Sequence, residues 1–326
     1  MPRRRSLWRR FRRATRAPRN AAIAASIWRL TRLLGALPVP VALGIGAGLG
    51  AGAHRLLGRP RRLARRHVAL ALPTLSPPEV HAIVRACFRH AGMSFAELAL
   101  FPRLARDAGY VTIEGLEVAH AALREGRGLI AVTGHLGNWE LLAATLARHV
   151  PLTVVARRVN DARFQALILR FRQAAGIEVV LRDDHHFQGA VREALSRHRV
   201  VALLIDQDTR GAGVWVPFLG RLARTPPGAA MLALRARAPL VTAFIARRPE
   251  GGHHARIARV DVPADRGAGA VTALTAVLTA AIEAQLRRYP VEWVWWHERW
   301  RRGAEEGTLP LLPHRRVLAV GDHEDQ

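Results

Sequence analysis

The stretch Thr133-Gly134-His135-Leu136-Gly137-Asn138-Trp139-Glu140-Leu141-Leu142 decides how this chain is read. It follows the apolar run Leu129-Ile130-Ala131-Val132 and leads into a helix-like run ending near His149. A base and a carboxylate, spaced His-x4-Glu, therefore sit where a strand gives way to a helix. In α/β proteins, ligands bind at such strand ends. Asn138 suits the N-cap of the helix, which places Trp139 and Glu140 in its first turn. The helix dipole favours a carboxylate there.

Working outward, short apolar runs recur at 111–113, 129–132, 152–155, 177–181, 200–205, 214–216, 240–245 and 255–260. Helical patterns lie between several of them, near 117–125, 139–149, 161–175, 187–198 and 226–237, with a last one over 269–288. Ser76-Pro77-Pro78-Glu79 is a strong helix start, and its helix should end at Pro102. Alternation of strand and helix predicts an α/β fold, a mostly parallel sheet flanked by helices. Three zones follow: a basic arm and hydrophobic anchor over 1–57, a globular domain over 58–302, and a loose tail over 303–326.

Composition removes several chemistries. All 50 basic residues are arginine, so the lysine of a P-loop or of a pyridoxal Schiff base is missing. The single cysteine, Cys87, rules out a disulfide within the chain and cysteine-based zinc sites. Its apolar neighbours predict a buried structural thiol. His185-His186 and His253-His254 lack ligand spacing and read as surface loops, so no metal and no cofactor is expected. Trp293 and Trp295 read as core packing.

The formal net charge of +25 calls for an anionic partner. Residues 1–19 hold nine arginines around Trp8 and Phe11, residues 33–53 carry no charge, and 55–66 are basic again. An apolar stretch between basic flanks suits a bilayer surface better than a nucleic-acid groove. The prolines and glycines of that stretch favour an interfacial or re-entrant anchor over a full span. A buried glycine-rich helical hairpin is the structural alternative. An arginine-rich nucleic-acid-binding protein is the alternative from another class, but it leaves the His-x4-Glu unused, so no nucleic acid is expected. A lipid hydrolase would need Gly-x-Ser-x-Gly, which does not occur.

The chemistry that fits the opening stretch is acyl transfer to an alcohol. His135 would take the hydroxyl proton as general base. Glu140, brought back by the Gly137-Asn138 turn, would hold the other ring nitrogen. Free N–H groups of the first helical turn could meet the oxyanion.

Gly134-His135-Leu136-Gly137-Asn138-Trp139-Glu140 resembles the first motif of the bacterial late lipid A acyltransferases, within the glycerolipid acyltransferase group. Further blocks agree in order. They are residues 55–101 with Glu97, Val155-Ala156-Arg157-Arg158, Arg170-Phe171-Arg172, Leu204-Ile205-Asp206-Gln207-Asp208, Gly213 to Gly220, Thr225-Pro226-Pro227-Gly228 and Tyr289 to His297. The resemblance implies a glycerolipid acyltransferase-like fold with N-terminal membrane-associating helices. It implies His135 and Glu140 as catalytic residues. Arg172 (or Arg157 or Arg158) would meet an anionic acceptor or steady the site. Asp206 or Asp208 would lie near the histidine, and the 218–225 turn with Thr225 where relatives hold a phosphate. The donor implied is acyl-acyl carrier protein or acyl-CoA. The acceptor would be a lipid A precursor, a phosphatidylinositol mannoside, or another aminolipid or glycolipid, at the cytoplasmic face of a bacterial inner membrane.

Overall fold

A computed structural model describes residues 25–301, apart from 105, 106, 108, 160 and 210. The arginines of 1–19 and the tail over 303–326 lie outside the described residues. In chain order the strands are β1 (Val111–Glu114), β2 (Leu129–Thr133), β3 (Leu152–Ala156), β4 (Glu178–Leu181), β5 (Val200–Leu204), β6 (Val214–Phe218), β7 (Arg221–Thr225), β8 (Leu240–Arg247) and β9 (His253–Val260). Seven of them form one sheet in the order β1-β9-β8-β2-β5-β3-β4.

Every pairing from β8 across to β4 is parallel. All five residues of β2 are buried, the pattern of a central strand covered on both faces. β9 runs antiparallel to β8 and carries β1 parallel to itself. The fold is therefore α/β with a mostly parallel sheet, as the alternation predicts. β7 is an addition. β6 and β7 form a hairpin closed by Leu219 and Gly220, both at positive φ (52° and 74°), as a two-residue hairpin turn of the primed type requires.

The helices are α1 (25–36), α2 (Val39–Leu56), α3 (Gly58–Ala71), α4 (Pro77–Leu104), α5 (Leu116–Arg124), α6 (Trp139–Leu146), α7 (Ala162–Ala174), α8 (Phe187–Ser196), α9 (Gly228–Ala236) and α10 (Ala268–Arg288). α4 starts with the Ser76 N–H and hydroxyl both on Glu79 (2.7 and 2.6 Å), half of a capping box. It continues past Pro102, two residues beyond the stop expected from sequence. α9, α10 and the start of α4 cover one face of the sheet, and α5 and α6 the other. Among the described residues, only Gly269–Arg288 is long and apolar enough to cross a bilayer. Its Leu274, Leu278, Ile282 and Leu286 are buried in the core.

The uncharged stretch folds as α2 and packs on α4 through glycine. A Cβ on Gly50 would lie 2.1 Å from the Phe88 carbonyl oxygen, and one on Gly92 would lie 2.0 Å from that of Gly46. Gly44, Gly48 and Gly52 meet nothing within 4 Å. Of the five glycines of α2, Gly46 and Gly50 let two backbones touch, and the other three lie on the free face. Gly50→Ala should therefore destabilise the protein by roughly 1–3 kcal/mol, since backbone must move. Gly48→Ala should leave stability unchanged or raise it by up to ~1 kcal/mol. Paired denaturation curves test this; equal curves for both would refute the packing.

Candidate active site

β2 and β5 are neighbours, with Thr133 opposite Leu204, and both end at the same edge of the sheet. The chain leaves β2 at His135 and leaves β5 at Asp206, and the two side chains meet. His135 Nδ1 lies 2.8 Å from Asp206 Oδ1. Asp206 Oδ2 accepts the His135 backbone N–H at 2.7 Å and the Trp293 indole N–H at 2.8 Å. Gly134 makes room, since a Cβ there would sit 3.1 Å from Asp206 Oδ2. Gly137 lies at φ 64°, where a Cβ would meet the Ile245 carbonyl oxygen at 2.2 Å. The segment 292–294 pairs with this loop. Gly137 N–H donates to the Glu292 carbonyl at 3.1 Å, and Val294 N–H to that of His135 at 3.2 Å.

Asp206 is 1% exposed. Burial alone would raise its pKa, but the charge of His135 and the three hydrogen bonds hold it well below the usual carboxylate range. The tautomer of His135 follows from Asp206: an ionised carboxylate can only accept, so Nδ1–H donates to Oδ1 and Nε2 is the unprotonated nitrogen of the neutral ring. The Gln207 amide nitrogen lies 3.0 Å from His135 Nε2 and 2.7 Å from His297 Nδ1. His297 stacks edge-on to His135 at 4.9 Å. Burial and the neighbouring His135 push its pKa down to about 4, so it is neutral at pH 7.

Glu140 is not on His135. It takes a two-pronged grip from Arg172, Nη2 to Oε1 at 2.6 Å and Nε to Oε2 at 3.1 Å. The pair joins the first turn of α6 to the last turn of α7. The carboxylate that meets the histidine is Asp206, 71 residues away in sequence. The correction has a local cause. Asn138 caps α6, its Oδ1 accepting Leu141 N–H at 3.1 Å, so Glu140 stands on a helix that leads away from the loop. Thr133, Glu140 and Arg172 share a pocket with apolar residues of α6 and the sheet, among them Leu142, Leu146, Leu152 and Val154.

The other expected residues are dispersed. Arg157 is exposed beyond the end of β3. Asp208 is buried 3.4 Å from Arg301. Thr225 is fully buried, its hydroxyl donating to the Ala223 carbonyl at 3.2 Å and accepting from Arg299 at 2.6 Å. Cys87 is buried, which pushes its thiol up to about 12. Trp293 and Trp295 are fully buried.

Sequence reasoning missed a second buried anion. Glu97 is fully buried. It accepts from Arg247 Nη1 and Nη2 (2.7 and 2.8 Å), His253 Nε2 (2.7 Å), Tyr110 (2.7 Å) and Asn138 Nδ2 (2.9 Å). Burial pulls its pKa up, but His253 and Arg247 hold it well below the ordinary value. His253 is thus a buried residue of β9, not part of a surface loop. The sequence signal was weak: a histidine after two glycines.

Close by, Glu292 Oε1 accepts Arg247 N–H at 3.0 Å, and Oε2 lies 3.4 Å from His90 Nε2. Burial raises Glu292 from 4.5 to about 7 and pushes His90 down to about 3. Between pH 4.5 and 7 the folded chain holds a proton on Glu292 that the unfolded chain has released, so this group's contribution to stability falls as pH rises through that window. Glu292→Gln mimics the protonated acid. It should match wild type at pH 4 and be the more stable at pH 8, by at most about 3 kcal/mol. Melting curves at both pH values check this, and an offset that does not change with pH would count against it.

Comparison with known sequences places this geometry in context. A family profile described as bacterial lipid A biosynthesis acyltransferase matches residues 9–302. A phosphatidylinositol mannoside acyltransferase of Mycolicibacterium smegmatis is 28% identical over 283 residues, 85% of this chain and 90% of that protein. One of Mycobacterium tuberculosis H37Rv is 29% identical over 217 residues, 65% of this chain and 67% of that protein. A lipid A biosynthesis acyltransferase of Shigella flexneri is 25% identical over 281 residues, 84% of this chain and 89% of that protein.

Proposed function

The chain belongs to the bacterial lipid A biosynthesis acyltransferase family, and from that membership and the His135–Asp206 geometry we propose that it moves a fatty acyl group from a thioester to a glycolipid hydroxyl. The donor is acyl-acyl carrier protein or acyl-CoA. The acceptor is an anionic glycolipid of the lipid A precursor or phosphatidylinositol mannoside class, and the relatives in M. smegmatis and M. tuberculosis favour the second as strongly as the first. The reaction takes place at the cytoplasmic face of a bacterial inner membrane, and residues 58–302 form the acyltransferase domain.

The observation that carries the reading is the Asp206 carboxylate 2.8 Å from His135 Nδ1. Asp206 holds Nδ1–H, which leaves the lone pair of Nε2 to take the acceptor's hydroxyl proton. The hydroxyl displaces the Gln207 amide from that nitrogen and attacks the thioester carbonyl. Asp206 then stabilises the imidazolium. By helix geometry the N–H groups of Trp139 and Glu140 have no intrahelical acceptor, and they would serve as donors for the oxyanion. The tetrahedral intermediate collapses with loss of the thiolate, and the imidazolium returns its proton to the sulfur.

On this reading His135→Ala and Asp206→Asn each lower kcat by roughly 10³-fold or more. Glu140→Gln and Arg172→Gln give matched, smaller losses, because each breaks the same ion pair. Acylated glycolipid is counted by mass spectrometry with purified protein. Full activity in His135→Ala would end the proposal. An active Asp206→Asn beside a dead Glu140→Gln would restore the His–Glu pairing in its place.

The N-terminal helices supply the membrane contact. Val41, Ile45 and Leu49 are 39–49% exposed on one face of α2, and Leu33 and Leu56 are exposed nearby. The opposite face is committed to α4, so α2 can lie in the interface plane but presents only one side to lipid. Arg55, Arg59 and Arg62 follow directly, suited to anionic headgroups. Replacing Val41, Ile45 and Leu49 together by Ser should abolish co-sedimentation with phosphatidylglycerol vesicles while the melting temperature holds. Undiminished vesicle binding would remove α2 from the contact.

A further inference from the structure

The end of the sheet opposite His135 carries a concavity of about 410 Å³ that no part of the proposed reaction uses. Arg127 precedes β2 and His135 follows it, so the two regions stand roughly 20 Å apart along that strand. Arg127, Arg237, Arg259 and Arg266 line the concavity, with Asp261 as its acidic lining residue. Pro239, Val260 and Val262 give it apolar walls.

Two features set it apart from a surface rich in arginine. The first is charge that is held in place. Glu125 is shared by Arg127 and Arg259, the first at 2.7 Å. Arg127 Nε also donates to the Arg237 carbonyl at 2.6 Å. The four guanidiniums exceed the two carboxylates, Glu125 and Asp261, by two charges in a concave setting, where the field of like charges adds. The second is backbone conformation. α9 ends at Arg237 in the left-handed region, φ 51° and ψ 28°. Glycine is the favoured residue at such a helix end, and an arginine there is strained. In that conformation the Arg237 side chain lines the cleft and its carbonyl accepts from Arg127.

We propose that this cleft is an anion site for a phosphate-bearing molecule with two or more negative charges. Guanidinium forks match phosphate oxygens in pairs, and the apolar walls accommodate the organic part of a phosphate ester. The proposal is independent of the reading of His135.

The test uses the full chain in detergent and two sources of the same chemistry. Titration calorimetry follows inorganic pyrophosphate and ADP, and co-sedimentation follows vesicles of phosphatidylcholine with or without phosphatidic acid. The variant is Arg237→Gly with Arg266→Ala. Its melting temperature is expected to equal or exceed that of wild type, because glycine relieves the left-handed strain, and its acyl transfer without added anion is expected to be unchanged. Binding of the soluble phosphates at least tenfold weaker in the variant supports a free phosphate ligand. The same loss confined to phosphatidic acid vesicles supports a lipid headgroup. Equal binding by both proteins, or no binding by wild type to either source, overturns the site.

Discussion

The carboxylate of Asp206 is buried and takes three hydrogen bonds, two from His135 and one from the Trp293 indole. Removing one partner from a buried charge of this kind costs about 3–5 kcal/mol, because the remaining ion is left without compensation. His135 therefore cannot swing away freely, and neither can the closing segment that carries Trp293. Three parts of the chain, the ends of β2 and β5 and the segment near 293, are tied at one group. The sheet supplies the reason that they meet. β5 is inserted between β2 and β3, so the residue after β5 lands beside the residue after β2.

The loop from Gly134 to Asn138 is pinned again at its far end. Asn138 uses its oxygen to cap α6 and its nitrogen to reach Glu97. Glu97 is itself held by Arg247, His253 and Tyr110. The loop is thus suspended between two buried anions, with backbone pairing to 292–294 along its middle. The proposed proton transfer would gain from this: His135 and the first-turn N–H groups would be fixed before substrate arrives, leaving little reorganisation for the reaction to drive. Position 137 requires glycine, since it sits at φ 64° with a Cβ that would lie 2.2 Å from the Ile245 carbonyl oxygen, while a Cβ at 134 would crowd Asp206.

Much of this was legible in the sequence. Seven of the eight sheet or hairpin strands read from apolar runs begin within one residue of their observed starts, because central parallel strands are continuously apolar. β7 escaped notice because Arg221-Leu222-Ala223-Arg224-Thr225 shows neither a continuous apolar run nor an alternation of polar and apolar residues. α4 passes Pro102 where sequence rules stop it. The Glu97 cluster was out of reach for another reason. Its members are local in space only: Arg247 lies 150 positions from Glu97. No spacing rule joins residues brought together by sheet order. His253 looked like a loop residue because Gly251 and Gly252 precede it, yet it is the buried carboxylate of Glu97 that gives it a place in the core.

The His-x4-Glu spacing itself carries two tasks where the sequence suggested one. Spacing alone fits a histidine and a carboxylate facing each other across a turn. Once Asn138 caps α6, the turn becomes the start of a helix, and Glu140 is carried toward α7, where Arg172 meets it in a fork. The histidine stays at the strand end and finds its carboxylate at the end of the neighbouring strand, β5. The glutamate fastens together two helices beside the apolar pocket, with both partners less than a fifth exposed. A bidentate pair at that depth is directional, so it fixes how α7 lies over the pocket as well as the distance between the helices. The six residues from His135 to Glu140 thus set the position of the histidine and of a pocket wall together, so a shift of α7 is felt through α6 at the loop that carries His135.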